Sequence, residues 1–289
     1  MDYLVFGKNI YLKNCNDIFN YYNYEDEKIG YFNIYIAKKE ISFSYSKKNI
    51  EAINLFSEVL YFMGNKKKNI VCLNNDDLNS IGFIKKEKNI KYIKEFERER
   101  NKKYKTIDEL YNNPHLVPWN LVERENDVMF LVNKYVTKNN KILEIGSGYG
   151  KNLCLLKENG YNNVVGIEYS KNAYELSRKK ISNNILGDIT NTKFDNNSFD
   201  AIIDIGCLHC VCTENRKKAF NEILRILKKD GFIISRYFLK KDTDWIKKYP
   251  VKISEFGNNY HEILDMFDNF IILETFEENE CVYVVGRKK

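Results

Sequence analysis

The chain has 289 residues and a mass of 34.3 kDa, room for about two domains of ~100–200 residues each. Apolar residues make up 44% and aromatics 14%, which excludes a disordered chain. Seven cysteines stand at scattered spacing, which excludes a disulfide framework and points to a reducing cytosol.

The residue choice is skewed, with 38 Asn and 21 Tyr against 5 Ala and 3 Pro. Lys far exceeds Arg. Such a set follows AT-rich codons, so the net charge of +6 says little about nucleic acid. No apolar run approaches the ~18–20 residues of a membrane span. Met1 to Ile10 lacks the basic-then-apolar layout of a signal peptide. The expected setting is cytoplasmic, with no membrane partner. No repeat of fixed period is present.

In chain order, Gly30 to Ala37 and Glu40 to Tyr45 are aromatic and β-branched and read as a hairpin. Ile50, Ile53, Phe56, Leu60 and Met63 recur at helical spacing, with Gly64 and Asn65 as the stop. Asn69 to Leu73 reads as a short strand. These elements predict an α+β accessory domain over 1–88. Residues 89–105 are densely charged and predict a solvated helical linker.

From Thr106 a second domain is expected, over 106–289. Leu121, Val128, Leu131, Val132 and Tyr135 give one helical face. Strand and helix then alternate: strands at 141–145, 163–167 and 199–205, helices at 151–158, 171–181 and around Phe220 to Leu227. Strands at 232–237, 270–274 and 281–285 complete the set. Alternation of this kind predicts an α/β fold, a parallel sheet covered on both faces.

The most informative stretch is Glu144-Ile145-Gly146-Ser147-Gly148-Tyr149-Gly150. A buried strand runs into three alternating glycines, where the chain must turn sharply and its backbone must approach a ligand. The helix that follows offers free N–H donors. A dinucleotide fingerprint reads G-x-G-x-x-G. Here the spacing is E-x-G-x-G-x-G, and a carboxylate before the loop suits a ligand with a cationic amino group. Glu168 ends the second strand, 22 residues after Gly146, where open α/β sheets hold ribose hydroxyls. Asp188 ends the third and is placed to accept from an adenine amino group.

These residues resemble the class I S-adenosylmethionine-dependent methyltransferases. The likeness runs from Trp119 to Lys289, a little under 60% of the chain. Glu144 to Gly150 matches the family's first motif. Asn196 to Gly206 resembles its fourth strand, and Leu227 to Phe232 the turn before its fifth, with Asp230-Gly231 where Pro-Gly or Gly-Gly is commoner. The resemblance implies a Rossmann-like doubly wound sheet of seven strands with the last antiparallel, and S-adenosyl-L-methionine as cofactor. It implies a cofactor set of Glu144, Gly146, Ser147, Gly148, Gly150, Glu168, Tyr169, Gly187, Asp188, Ile189 and Asp204.

A methyl sulfonium needs an acceptor held in line more than it needs a base. Asp204-Ile205-Gly206-Cys207-Leu208-His209 resembles the D-x-G-x-x-H segment of many small-molecule methyltransferases. His209 is therefore a candidate for proton transfer, with turn-capping and packing as the other reading. Pro118-Trp119 resembles the segment that covers the cofactor in thiopurine- and tellurite-type enzymes, so Trp119 is placed at the sulfonium. Tyr149 is a candidate for the methionine end, and Arg236 and Tyr237 for the substrate side, with surface placement as the other reading of those two. Cys207, Cys210 and Cys212 have no second cluster at zinc spacing, and no metal is expected. The N-P-P-Y segment of nucleic-acid amine methyltransferases is absent. The expected acceptor is an O, N or S nucleophile of a small molecule or peptide. An RNA acceptor and a non-catalytic scaffold remain as alternatives. A monomer or homodimer is expected. The first domain faintly resembles the back half of a GNAT-type acetyltransferase, without that family's acyl-CoA phosphate loop.

Overall fold

The structure, a computed structural model, describes residues 3–15, 18–64, 68–86, 91–94, 96, 104–121, 126–239, 260–278 and 281–289. It divides into two compact units, Met1–Arg124 and Glu125–Lys289.

The first unit is an eight-stranded sheet. Its strands are β1 (Leu4–Phe6), β2 (Ile10–Cys15), β3 (Ile18–Asn23), β4 (Lys28–Ile36), β5 (Glu40–Tyr45), β6 (Asn69–Cys72), β7 (Phe83–Lys86) and β8 (Lys91–Lys94), in the order β1-β2-β3-β4-β5-β6-β8-β7. All pairs are antiparallel except β5–β6, because helix α1 (Ile50–Met63) carries the chain back across the sheet. Asn49 caps that helix by accepting the Ala52 N–H at 2.9 Å. Its buried face centres on Phe56, which stacks on Phe32 at 4.1 Å and meets Phe43 edge-on.

Two boundaries differ from the sequence reading. Part of the expected helical linker is strand β8, and Lys94 on it is buried beside Glu58 at 3.5 Å. The rings of Phe83 and Phe96 lie 5.6 and 5.5 Å from its ammonium, so one charge of this stretch is paired inside the core. The other expected linker residues, 89, 90, 95 and 97–103, lie outside the described residues.

The second difference is the start of the α/β unit. Helices α2 (Ile107–Tyr111) and α3 (Pro118–Leu121) belong to the first unit. The fully buried Asn120 explains this. Its amide accepts the Phe6 N–H at 3.0 Å and donates to the carbonyls of Phe6 at 2.8 Å and Pro114 at 2.9 Å. It thereby continues the ladder of edge strand β1 with a side chain.

The second unit opens with α4 (Asn126–Tyr135). It continues as β9 (Ile142–Ile145), α5 (Lys151–Glu158), β10 (Val164–Glu168), α6 (Lys171–Ser177), β11 (Asn184–Leu186) and β12 (Phe199–Ile205). Then come α7 (Thr213–Ile226), β13 (Leu227–Phe238), α8 (Tyr260–Asp265), β14 (Phe270–Glu278) and β15 (Cys281–Lys288). The sheet order is β11-β10-β9-β12-β13-β15-β14. Six strands run the same way, and β15 runs antiparallel to both neighbours. This is the Rossmann-like α/β sheet that the sequence implies. Leu143, Ile145, Ile202 and Ile233 form one core with Phe220, Ile223 and Phe267, so α7 and α8 cover that face. Strand order reverses at β9, which opens a crevice at the carboxyl ends of β9 and β12.

Removing the Asn120 amide leaves the Phe6 N–H and C=O buried without it. Asn120→Ala is expected to lower the unfolding free energy of the first unit by about 2 kcal/mol in urea titration, and to speed amide exchange at Phe6. A loss below about 0.5 kcal/mol, the scale of an ordinary surface change, contradicts this role.

Candidate active site

Strand β9 delivers the chain into the glycine loop at the switch point. Gly146, Gly148 and Gly150 all hold positive φ, at 63°, 54° and 82°. Gly146 is also fixed by space. A Cβ there would stand 2.5 Å from Cβ and 2.7 Å from Sγ of Cys207, so the ends of β9 and β12 meet with no room for a side chain. The Gly146 and Ser147 N–H groups both donate to the Ile167 carbonyl, at 2.9 and 3.2 Å. The Ser147 hydroxyl reaches Asn184 Oδ1 at 2.8 Å.

Three buried carboxyl groups surround this crossing. Glu168 accepts the Gly148 N–H at 2.6 Å on one oxygen and the Ser170 N–H at 2.7 Å on the other, tying the glycine loop to the start of α6. Asp204 accepts the N–H groups of Cys207 at 2.9 Å and Leu208 at 3.1 Å. Burial pushes its pKa up to about 6 against those two donors. Glu144 receives the Asn152 amide at 2.8 Å on one oxygen. Its second oxygen is buried and finds no hydrogen-bond partner among the described residues. Burial pushes its pKa up to about 8, with the Asn152 amide opposing and the Glu168 charge adding. At neutral pH this carboxyl holds a proton, and a cation beside it would displace that proton.

On the adjoining side, Gly187 donates its N–H to the Glu168 carbonyl at 2.9 Å. Asp188 is exposed and accepts the Thr190 N–H and hydroxyl, both at 2.8 Å. Ile189 is buried, and Tyr169 is 71% exposed. The loop beyond is held from α7. Glu222 takes the Thr192 N–H and hydroxyl at 2.8 and 2.6 Å. Arg225 binds Glu222, the Phe194 carbonyl and Asn196. That arginine holds the Glu222 carboxyl down to about 2.

His209 lies on the β12 side, 2% exposed and edge-on to Phe238 at 5.0 Å. Burial pushes its pKa down to about 3, with the Arg216 charge adding, so the imidazole is neutral throughout the physiological range. Cys210 donates its thiol to the Gly206 carbonyl at 3.6 Å. Among the described residues no group of three or more His, Cys, Asp and Glu is set to hold a metal ion. Tyr149 is buried within the glycine loop. Trp119 lies in the first unit, its indole N–H donating to the Tyr111 hydroxyl at 3.0 Å.

The structure therefore brings Glu144, the three glycines, Ser147, Glu168 and Cys207 to one crossing, with Asp204 and His209 beside it. Asn152, Asn184, Glu222 and Arg225 were not legible as site residues. Each is a polar residue that acquires a partner only when its element packs, and nothing in its local spacing marks it.

Two outcomes follow from these environments. Glu144 has a folded pKa above its ordinary value, so stability is full below pH ~4.5 and falls as pH rises toward about 8. Glu144→Gln is expected to melt about 5 °C above wild type at pH 9 and at the same temperature near pH 4; equal melting at both ends would refute the burial. His209 Cε1–H is expected to show no NMR titration between pH ~5 and ~8, and a midpoint near 6.5 would contradict its neutral, desolvated state.

Residues 143–235 match the family model described as a methyltransferase domain. EEF1A lysine methyltransferase 2 of Danio rerio is 30% identical over 135 residues, 42% of this chain and 56% of its own length. Probable tRNA methyltransferase 9B of Homo sapiens is 32% identical over 111 residues, 35% of this chain and 24% of its own. Phosphoethanolamine N-methyltransferase of Plasmodium falciparum is 27% identical over 126 residues, 42% of this chain and 47% of its own. The chain spans about half or less of the length of these relatives. No described helix is long and apolar enough to cross a membrane. The methyltransferase-domain match thus lies across the switch-point crossing and the reversed strand order of the second unit, and it supports a class I S-adenosylmethionine-dependent methyltransferase.

Proposed function

We propose that the protein transfers the methyl group of S-adenosylmethionine to an O, N or S nucleophile on a small molecule or peptide. The observation that carries this reading is the buried second oxygen of Glu144, a carboxyl suited to a cation beside a glycine loop whose Gly146 leaves no room for a Cβ. A carboxyl that ionises only beside a cation gives a diphosphate no counter-charge, whereas the amino group of the cofactor suits it.

In this reading Glu144 holds the amino group, and Gly146, Ser147, Gly148 and Gly150 present backbone. Glu168, at the carboxyl end of β10 beside the glycine loop, takes the ribose hydroxyls, as an acid at this position of an open α/β sheet does. Asp188 accepts from the adenine amino group, and Tyr169, Gly187 and Ile189 border the base. Asp204 fixes the turn that carries Gly206 and Cys207. When bound, the cofactor supplies a methyl on sulfonium sulfur, an electrophile already activated. The chain's own task is then to align the acceptor and exclude water. His209, neutral and packed on Phe238, shapes the acceptor side; a group that binds protons only near pH 3 is a weak base, so the acceptor atom enters unprotonated. Tyr149, buried within the glycine loop, is the candidate for the methionine end.

The segment Asp204-Ile205-Gly206-Cys207 supports a small-molecule or peptide acceptor over a nucleic-acid amine. The tRNA methyltransferase among the relatives supports RNA as the second reading. Titration calorimetry at pH 7 is expected to show one bound S-adenosylmethionine and release of about one proton, a release that Glu144→Gln abolishes. Asp188→Ala is expected to weaken binding about tenfold. Labelled cofactor with cell extract should place label in the small-molecule or peptide fraction. Label in RNA overturns the acceptor reading, and absence of cofactor binding overturns the activity itself.

A further inference from the structure

Strand register sets residues of one face side by side across the sheet. Gly166, Glu144, Ile203, Ile234 and Val285 form one such row over β10, β9, β12, β13 and β15. Two residues nearer the carboxyl edge, Ile205, Arg236 and Tyr283 form the next, with Glu168 at that level on β10. Alternation puts Arg236 on the face of Glu144, opposite the core shared with α7 and α8. It stands one strand beyond β12, and three strand spacings, ~14 Å, from Glu168.

The turn Gly206–Cys207 is a thin wall at this place. On one side Cys207 packs against Gly146 of the glycine loop. On the other, a Cβ on Gly206 would meet His209 Cε1 at 3.1 Å and Arg236 Nη2 at 4.0 Å. The Arg236 guanidinium lies 5.6 Å from the Phe238 ring. A side-chain hydrogen bond joins it to Tyr283, and burial weighs against its charge. Tyr283 is itself buried and stacked on Phe276 at 4.8 Å, so the guanidinium is oriented by a braced neighbour.

We propose that Arg236 determines acceptor specificity by binding a carboxylate or phosphate group of the methyl acceptor. The inference rests on the methyltransferase reading, which puts the reacting methyl over β9 and β12 and the acceptor beyond them. A guanidinium stays charged where an ammonium would shed its proton, and its planar fork of five donors grips carboxylate or phosphate through two parallel bonds. Tyr283 engages part of that fork and fixes its plane. The neutral His209 ring beside it adds no competing charge. An acceptor held there by its anionic group reaches back over Gly206 toward the cofactor loop.

The test uses the full chain loaded with S-adenosylmethionine. The Arg236 Nε–Hε NMR signal, identified by its loss in Arg236→Lys, is followed during titration with inorganic phosphate and, separately, with acetate. A saturable shift with one of them and none with chloride at equal ionic strength is expected, and it distinguishes the two anion classes. Arg236→Gln should weaken that binding, read at His209 Cε1–H, by about tenfold or more, with cofactor affinity by calorimetry within about twofold of wild type, since Arg236 makes no proposed cofactor contact. The methyl-accepting fraction of a cell extract should be retained on an anion exchanger at neutral pH. A signal that ignores both anions, or an acceptor fraction that flows through, overturns the inference while intact cofactor binding leaves the methyltransferase reading standing. Failure to bind S-adenosylmethionine overturns both.

Discussion

At the carboxyl edge of the second sheet, the chain leaves the ladder in three sharp turns at once. Each turn frees N–H groups that no strand or helix satisfies. Two buried carboxylates answer that need: Glu168 takes the N–H groups of Gly148 and Ser170, and Asp204 those of Cys207 and Leu208. The close meeting of Gly146 and Cys207 exists because both turns are pinned in this way. The third carboxyl, Glu144, takes the Asn152 amide and no backbone N–H among the described residues. Glu144 and Asp204 each keep one buried oxygen with no hydrogen-bond partner among the described residues.

Much of that edge was legible in the sequence because its pattern is local. Glycines at 146, 148 and 150 must take conformations other residues avoid, and acids at 144 and 168 follow from strand ends. What was hidden depends on register and packing. Asn152 becomes the partner of Glu144 only when α5 folds back on β9. Arg236 comes beside Gly206 only because β13 pairs with β12 in the observed register. His209 was legible as a residue of interest, but its suppressed basicity comes from burial and from Arg216, neither readable from spacing.

The first unit shows the same limit in another form. The hairpin β4–β5 and helix α1 carry clear periodicity. Strands β1 to β3 lack that contrast: β1 is only three apolar residues, and β2 and β3 carry Asn and Tyr on both faces. The run of charges after residue 85 suggested a solvated linker, yet Lys94 sits inside beside Glu58 and two aromatic rings. Trp119 and its neighbours joined this unit through the side chain of Asn120 acting as backbone, a contact across 114 positions that no local pattern announces.

Helix α7 has a position that reaches past its own packing. Its 14 residues span ~20 Å and begin where the Gly206–Cys212 segment ends. Near its start, Arg216 grips the Val211 carbonyl. Near its end, Glu222 and Arg225 grip Thr192, Phe194 and Asn196. One helix thus clamps the Gly206–Cys212 segment and the loop that follows Asp188. The two segments cannot drift apart by independent loop motion. They move as the helix moves, so recombining this protein with a relative must transfer both loops and the helix as one piece.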